Sequence, residues 1–171
     1  MADNSVHLIN FAAYLKDLTP SIRSDGEAEV LLLTCMDFRF LEAIATDMDR
    51  AGFKGKYDQV ILAGASLGAV WHKEPPNPCW HKTFFDHLQL ARDLHKIKRV
   101  FVMEHRDCGA YGPKGFGLLP KDPDQEEERR VHFEQVDKLK AKLPSDLGFA
   151  AWLLEVPPIP SKGALTYDQL V

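Results

Sequence analysis

The chain lacks an excess of basic residues: 21 Lys and Arg stand against 25 Asp and Glu, for a formal charge of −4. Without a cationic stripe there is no electrostatic footprint for a phosphate backbone, so nucleic acid is excluded as the expected partner. Long apolar runs are also missing. None approaches the ~20 residues of a membrane-spanning helix, and the start Met1-Ala-Asp-Asn-Ser has neither the basic opening nor the apolar core of a secretory signal. The expectation is a cytoplasmic protein that does not engage a membrane. Cysteine is scarce and odd in number, three in 171 residues, which makes no disulfide framework. In a reducing compartment such thiols serve as metal ligands or as small buried hydrophobes. There is no Gly-x-Gly-x-x-Gly fingerprint, and the stretch Gly64-Ala-Ser-Leu-Gly68 has no Lys-Ser/Thr behind it to cradle phosphate. A cysteine-phosphatase loop is excluded because Leu41 and Lys114, not arginines, stand six positions after Cys35 and Cys108. No internal repeat and no low-complexity tract interrupts the chain.

What is present is enough for one domain, residues 1–171, since 45% hydrophobic residues can fill a core at this length. Leu8, Phe11, Leu15 and Leu18 fall at helical spacing ahead of Pro20, an amphipathic helix within 1–20 that has no local core and is expected to pack on a second subunit. Apolar runs at Glu29–Thr34 and Arg99–Met103 are expected to be buried strands, the first of them on both faces, and Gln59–Ala63 and Phe149–Val156 to be two further strands. Between them, Leu41/Ile44/Ala45/Met48, Phe84/Leu88/Ala91/Leu94 and His132/Val136/Leu139/Leu143 mark helical faces. Gly64–Gly68 is expected to form a tight turn, the proline-rich stretch 72–81 to precede the second of these helices, and 113–124 to be irregular and surface-exposed. Glu126–Glu128 is expected to be the solvated, favourably charged start of the third of these helices. Alternating strands and helices define an α/β fold with three layers, α/β/α, and a mainly parallel four-stranded sheet. In such sheets ligands collect beyond the C-terminal strand ends where strand order reverses.

Two short motifs sit at such ends: Thr34-Cys35-Met36-Asp37-Phe38-Arg39 and Glu104-His105-Arg106-Asp107-Cys108-Gly109. If the first and third strands are neighbours, Cys35 meets His105 and Cys108 although about seventy positions separate them. Two thiolates and an imidazole are borderline-soft donors suited to Zn2+, and His-x-x-Cys supplies two corners of a tetrahedron from one turn. A helix starting at Gly109 would help ionise Cys108 through its dipole. A fourth position is open to water in a catalytic site, and closed if Asp37, Cys79 or His81 fills it. Arg39 is placed to hold Asp37 as a two-point ion pair, keeping the carboxylate ionised and aimed at a water on the metal. His72, His81, His87 and His95 are surface histidines that could also relay protons. Tyr111, Trp71 and Trp80 are read as aromatic packing.

At these residues the chain resembles the β-class carbonic anhydrases, which carry Cys-x-Asp-x-Arg after the first strand and His-x-x-Cys-Gly after the third. The resemblance implies zinc on Cys35, His105 and Cys108, and Asp37 with Arg39 as the catalytic dyad. It also implies a homodimer or higher homo-oligomer and reversible hydration of carbon dioxide to bicarbonate by zinc-bound hydroxide. The chain departs from the family after the second strand, where Leu62-Ala-Gly-Ala-Ser-Leu-Gly68 replaces an Arg-Asn-Ala-Gly-like turn. Relatives that hydrolyse carbonyl sulfide or carbon disulfide keep the same ligands, so those substrates, or a non-catalytic zinc role, stand as the alternatives.

Overall fold

A computed structural model of the chain describes residues 26–71, 79–155 and 167–171. The N-terminal amphipathic segment and most of the first proline-rich stretch, with His72, lie outside these residues. Five strands and four helices occur among the described residues, in the order β1 (Val30–Thr34), α1 (Leu41–Arg50), β2 (Tyr57–Ile61), α2 (Ser66–Val70), α3 (Cys79–His95), β3 (Arg99–His105), α4 (Gln125–Lys140), β4 (Gly148–Leu154) and β5 (Tyr167–Gln169). The strands form one sheet in the order β2-β1-β3-β4-β5. The first four run parallel, and β5 pairs antiparallel with β4 through Trp152 opposite Gln169. The sheet is therefore five-stranded, not four. A three-residue strand is too short to show the alternation by which strands are read from sequence.

The pleat sorts the buried strands onto two cores, because successive side chains point to opposite faces. Leu31, Leu33, Val100, Val102, Ala151 and Leu153 face α3 and α4, meeting Phe84, Leu88, Val136 and Leu139. Val30, Leu32, Phe101, Met103, Ala150 and Trp152 face α1, meeting Phe40, Ile44 and Met48. Helices thus cover both faces, as parallel sheets require. Phe101 is the pivot of the second core, edge-on to Phe53 at 5.7 Å and to Trp152 at 5.2 Å. On α3 the expected face holds at Phe84, Leu88 and Ala91, whereas Leu94 turns to solvent.

The stretch after β2 is not a simple turn. Gly64 and Ala65 both take positive φ, 71° and 40°, and the chain then enters the short helix α2. Gly68 lets this helix sit against the turn: a Cβ there would lie 2.8 Å from the Ala63 carbonyl oxygen. Glu128, expected in solvent, is buried; α4 is instead capped by Asp124, whose side chain accepts from the Glu127 amide at 2.8 Å. Residues 109–115 are turns, so no helix starts at Gly109.

Phe101→Ala is expected to remove about 3–5 kcal/mol of stability by leaving a cavity between the two edge-on rings. Leu94→Ala, on the exposed side of α3, is expected to stay within about 0.5 kcal/mol. Urea unfolding of both variants checks the assignment of the two faces.

Candidate metal centre

β1 lies between β2 and β3, so the chain leaves β1 on one side and returns on the other, and the crevice opens at the C-terminal ends of β1 and β3. Thr34 pairs with Met103 at that end. Cys35 follows immediately, and His105 closes β3. The Sγ atoms of Cys35 and Cys108 and a ring nitrogen of His105 all lie within 4.8 Å of one another, and all three residues are buried. Among the described residues no other group of three His, Cys, Asp or Glu side chains is placed to hold an ion.

Local hydrogen bonds aim each donor. His105 Nδ1 donates to the Arg106 carbonyl at 2.8 Å, which leaves Nε2 directed at the group, buried and without a hydrogen-bond partner among the described residues. The Phe40 ring lies against the imidazole at 4.6 Å. The Gly64 amide donates to Cys35 Sγ at 3.3 Å, and the Ala110 amide to Cys108, so the backbone donors to sulfur come from turns and not from a helix end.

The ionisation of each of the three donors depends on the other two. The Cys35 thiol is pulled well below its ordinary range, first by the hydrogen bond from Cys108, with burial opposing and His105 adding to the pull. Cys108 is pushed far upward, chiefly because it is the donor in that bond, with burial and the charges of Cys35 and Glu104 contributing. Burial works against the charged form of His105, but the pull of the nearby Cys35 sulfur, with smaller help from the Arg106 carbonyl and Asp37, carries it upward. A dication among the three would take the place of the Cys108 proton and let both sulfurs ionise. The spacing suits zinc: two sulfurs each about 2.3 Å from one tetrahedral ion stand about 3.8 Å apart, and Cys35 and Cys108 are separated by 3.8 Å. The orphaned His105 Nε2 completes the fit.

Asp37 and Arg39 meet as a two-point pair. Arg39 Nη2 reaches Asp37 Oδ2 at 2.7 Å, while Nε and the Arg39 amide reach Oδ1, each at 3.0 Å. The Arg39 side-chain bonds hold Asp37 below the usual carboxylate range, and Arg39 is raised in return. Asp37 Oδ2 comes to 3.8 Å from His105 Nε2, so the carboxylate borders the three-ligand group without joining it. Arg39 also donates to Asp107 Oδ2 at 3.1 Å, linking the two motifs. Cys79 and His81 do not close the site: Cys79 is exposed at the start of α3, and His81 bonds the Ala69 carbonyl at 2.8 Å. His87 and His95 bond Thr83 and Asp58. Tyr111 is fully buried, and Trp71 and Trp80 pack on Phe116.

Beside the ligands opens a cavity of about 310 Å3 walled by Met36, Phe38, Ala63 and Ala110 together with Asp37. Phe38 is 85% exposed at its edge. Four buried polar residues lie behind the ligands, Ser66, Glu104, Glu128 and His132, and of these only His132 is placed on an apolar face by its spacing. Glu104 carried a signal, being a charge directly after the apolar run Val100–Met103, where burial demands partners. Glu128 accepts the Asp107 amide at 2.6 Å and Arg106 Nη1 at 3.2 Å, and so braces the turn that presents Cys108.

This is an α/β protein with the fold of the β-carbonic anhydrases and a buried Cys-His-Cys group able to take a metal ion. The solved β-carbonic anhydrase CafA of Aspergillus fumigatus matches with a TM-score of 0.52 at 16% identity, over 94% of this chain and 84% of that one. A match to structures of two tetrameric β-carbonic anhydrases of Sordaria macrospora has a TM-score of 0.50 at 14% identity, over 84% and 80%. At such identities the likeness is one of fold. No family model matches the chain. The chain belongs to the same protein family as an uncharacterized protein of Rickettsia bellii, with 34% identity over 127 residues, 72% of this chain and 74% of the relative. A Rickettsia conorii relative is 36% identical over 90 residues, and the chain spans about half (47%) of its length.

Zinc analysis is expected to give one ion per chain, and Cys35→Ser, His105→Ala and Cys108→Ser are each expected to lose most of it. Stripping the ion should lower the unfolding temperature, because an ion bound only by the native state stabilises it. A thiol reagent should label exposed Cys79 at once, and Cys35 and Cys108 only after chelation.

Proposed function

We propose that the chain is a zinc-dependent carbonic anhydrase-like lyase that hydrates carbon dioxide reversibly to bicarbonate. The observation that carries this reading is the three-ligand group with the Asp37–Arg39 pair beside it but outside it. Cys35, His105 and Cys108 would hold the ion, and zinc would supply the Lewis acidity that makes water a nucleophile near neutral pH. Asp37, kept ionised by Arg39, accepts a hydrogen bond from the attacking water at Oδ2 and orients its lone pair toward the carbon. Arg39 holds the carboxylate plane and keeps it from swinging onto the ion. The apolar walls from Met36, Phe38, Ala63 and Ala110 suit a small uncharged substrate. In this reading residues 1–171 are a single zinc-binding domain, active in the cytoplasm as a homodimer or higher homo-oligomer. The tetrameric Sordaria enzymes of the same fold support that assembly. Among the described residues no helix is long and apolar enough to cross a membrane.

A second reading is favoured by the wall that faces the ligands from the β2 turn. It is Ala63, with no arginine or asparagine there to orient an anionic product. That surface would equally accept carbonyl sulfide or carbon disulfide, with hydrolysis at the same ion.

Stopped-flow assay of the zinc-loaded protein is expected to show proton release on mixing with carbon dioxide well above the buffer rate. Asp37→Asn should lower kcat/KM by about 100-fold or more, and Arg39→Ala by about 10–100-fold, with zinc content unchanged in both. Sulfide release from carbonyl sulfide without carbon dioxide hydration would select the second reading. A zinc-loaded protein inert in both assays would leave a non-catalytic zinc-binding protein.

A further inference from the structure

Behind the three ligands, on the opposite face of β3, the carboxylate of Glu104 is buried to 1% exposure. It accepts on both oxygens. Oε1 takes the Ser66 amide at 2.8 Å and the Ser66 hydroxyl, and Oε2 takes the Tyr111 hydroxyl at 3.2 Å and His132 Nδ1 at 3.0 Å. The Tyr111 and His132 rings lie against each other with centroids 3.8 Å apart, and neither residue is accessible to solvent. A carboxylate so placed would be costly to bury without these donors, and each donor would be costly to leave unpaired.

The partners are distributed in a way that packing alone does not require. Ser66 directly follows the two positive-φ residues Gly64 and Ala65, and the Gly64 amide is the one that donates to Cys35 Sγ. Holding Ser66 by both its amide and its hydroxyl therefore fixes the turn that aims a donor at the first thiol ligand. Tyr111 donates its own amide to the Cys108 carbonyl at 3.0 Å and accepts the Leu118 and Leu119 amides, each at 2.9 Å, so its ring and backbone anchor the turn that carries the second thiol ligand. Glu104 itself precedes His105, the third ligand, on the same strand. One carboxylate thus reaches all three ligand-bearing or ligand-touching segments, and His132 ties the assembly to α4.

We propose that Glu104 is the positioning residue of the metal centre, joining the turn that aims a donor at Cys35 and the turn that carries Cys108 to the strand that carries His105. This inference rests on the zinc reading of Cys35, His105 and Cys108. Glu104 touches neither substrate nor ion; it sets the spacing of the two sulfurs before an ion arrives. Tyr111 and Ser66 transmit that constraint to the two loops.

The test is competition for zinc between the purified protein and a chromophoric chelator, together with the sulfur-to-metal absorption of the cobalt-loaded protein. Glu104→Gln leaves the shape but replaces an acceptor with an amide donor facing Tyr111 and His132. It is expected to weaken zinc binding by about 10–100-fold and to shift the cobalt band. Tyr111→Phe removes one hydroxyl from a ring that stays packed, and is expected to move both readouts in the same direction by a smaller factor. It keeps the test alive if Glu104→Gln does not fold. Phe53→Leu, in the core on the other face, is the control: it should lower thermal stability and leave zinc affinity and the cobalt band unchanged. Wild-type affinity and spectrum in folded Glu104→Gln or Tyr111→Phe would overturn the proposal, as would an equal loss of zinc in Phe53→Leu. Failure of the unaltered protein to bind zinc would overturn the metal reading and this inference with it, an outcome visible before any variant is compared.

Discussion

The parallel pairing of β1 with β3 brings together everything on which the site depends. Both strands are buried on both faces, and the register runs from Val30 opposite Arg99 to Thr34 opposite Met103. Neighbouring strands stand about 4.8 Å apart, a separation a single metal ion can span once side chains extend from level strand ends. Cys35 leaves β1 one residue past that register, and Glu104 and His105 leave the last two positions of β3 on opposite faces. A slip of one residue would exchange the two faces, sending the imidazole toward α4 and the carboxylate toward α1.

The loops beyond those strand ends are held by charge. Arg39 bonds Asp37 within its own motif and Asp107 in the other, and Arg106 bonds Glu128 on α4 and Glu155 after β4. The Arg39 contacts are partly open to solvent, where an ion pair contributes little to stability. Their consequence is directional: they set where the Asp37 carboxylate points. The Glu128 contacts are buried, and there an unpaired partner would be penalised heavily. The two latches therefore differ in kind, one orienting a carboxylate and one fixing a turn.

The fold is shared with carbonic anhydrases at 14–16% identity, while the turn after β2 has its own solution, two positive-φ residues leading into a short helix. A shared fold does not carry a chemistry with it. The weight of the functional reading falls on the site: the 3.8 Å sulfur separation, the orphaned imidazole nitrogen and the apolar cavity wall. The walls on the β2 side come from small residues because α2 is pressed close against the turn, which Gly68 permits.

Much of this was legible in the order of residues. The four parallel strands, the buried faces of the helices and the candidate donors Cys35, His105 and Cys108 follow from local pattern: apolar runs of strand length, helical spacing, and donor types at strand ends. So does the Asp37–Arg39 pair, because two residues of separation on one loop bring the side chains together whatever the rest of the chain does. What only tertiary structure decided was long-range and polar. The three residues of β5 show no period of their own and become a strand by hydrogen bonding to β4. Glu128 reads as a solvated helix start and is buried because the Cys108 turn needs an acceptor at that place. Glu104, Ser66, Tyr111 and His132 come from four separate segments with no shared spacing. Their meeting is set by the packing of α2 and α4 against β3, and a linear pattern carries no information about which buried polar groups will satisfy one another.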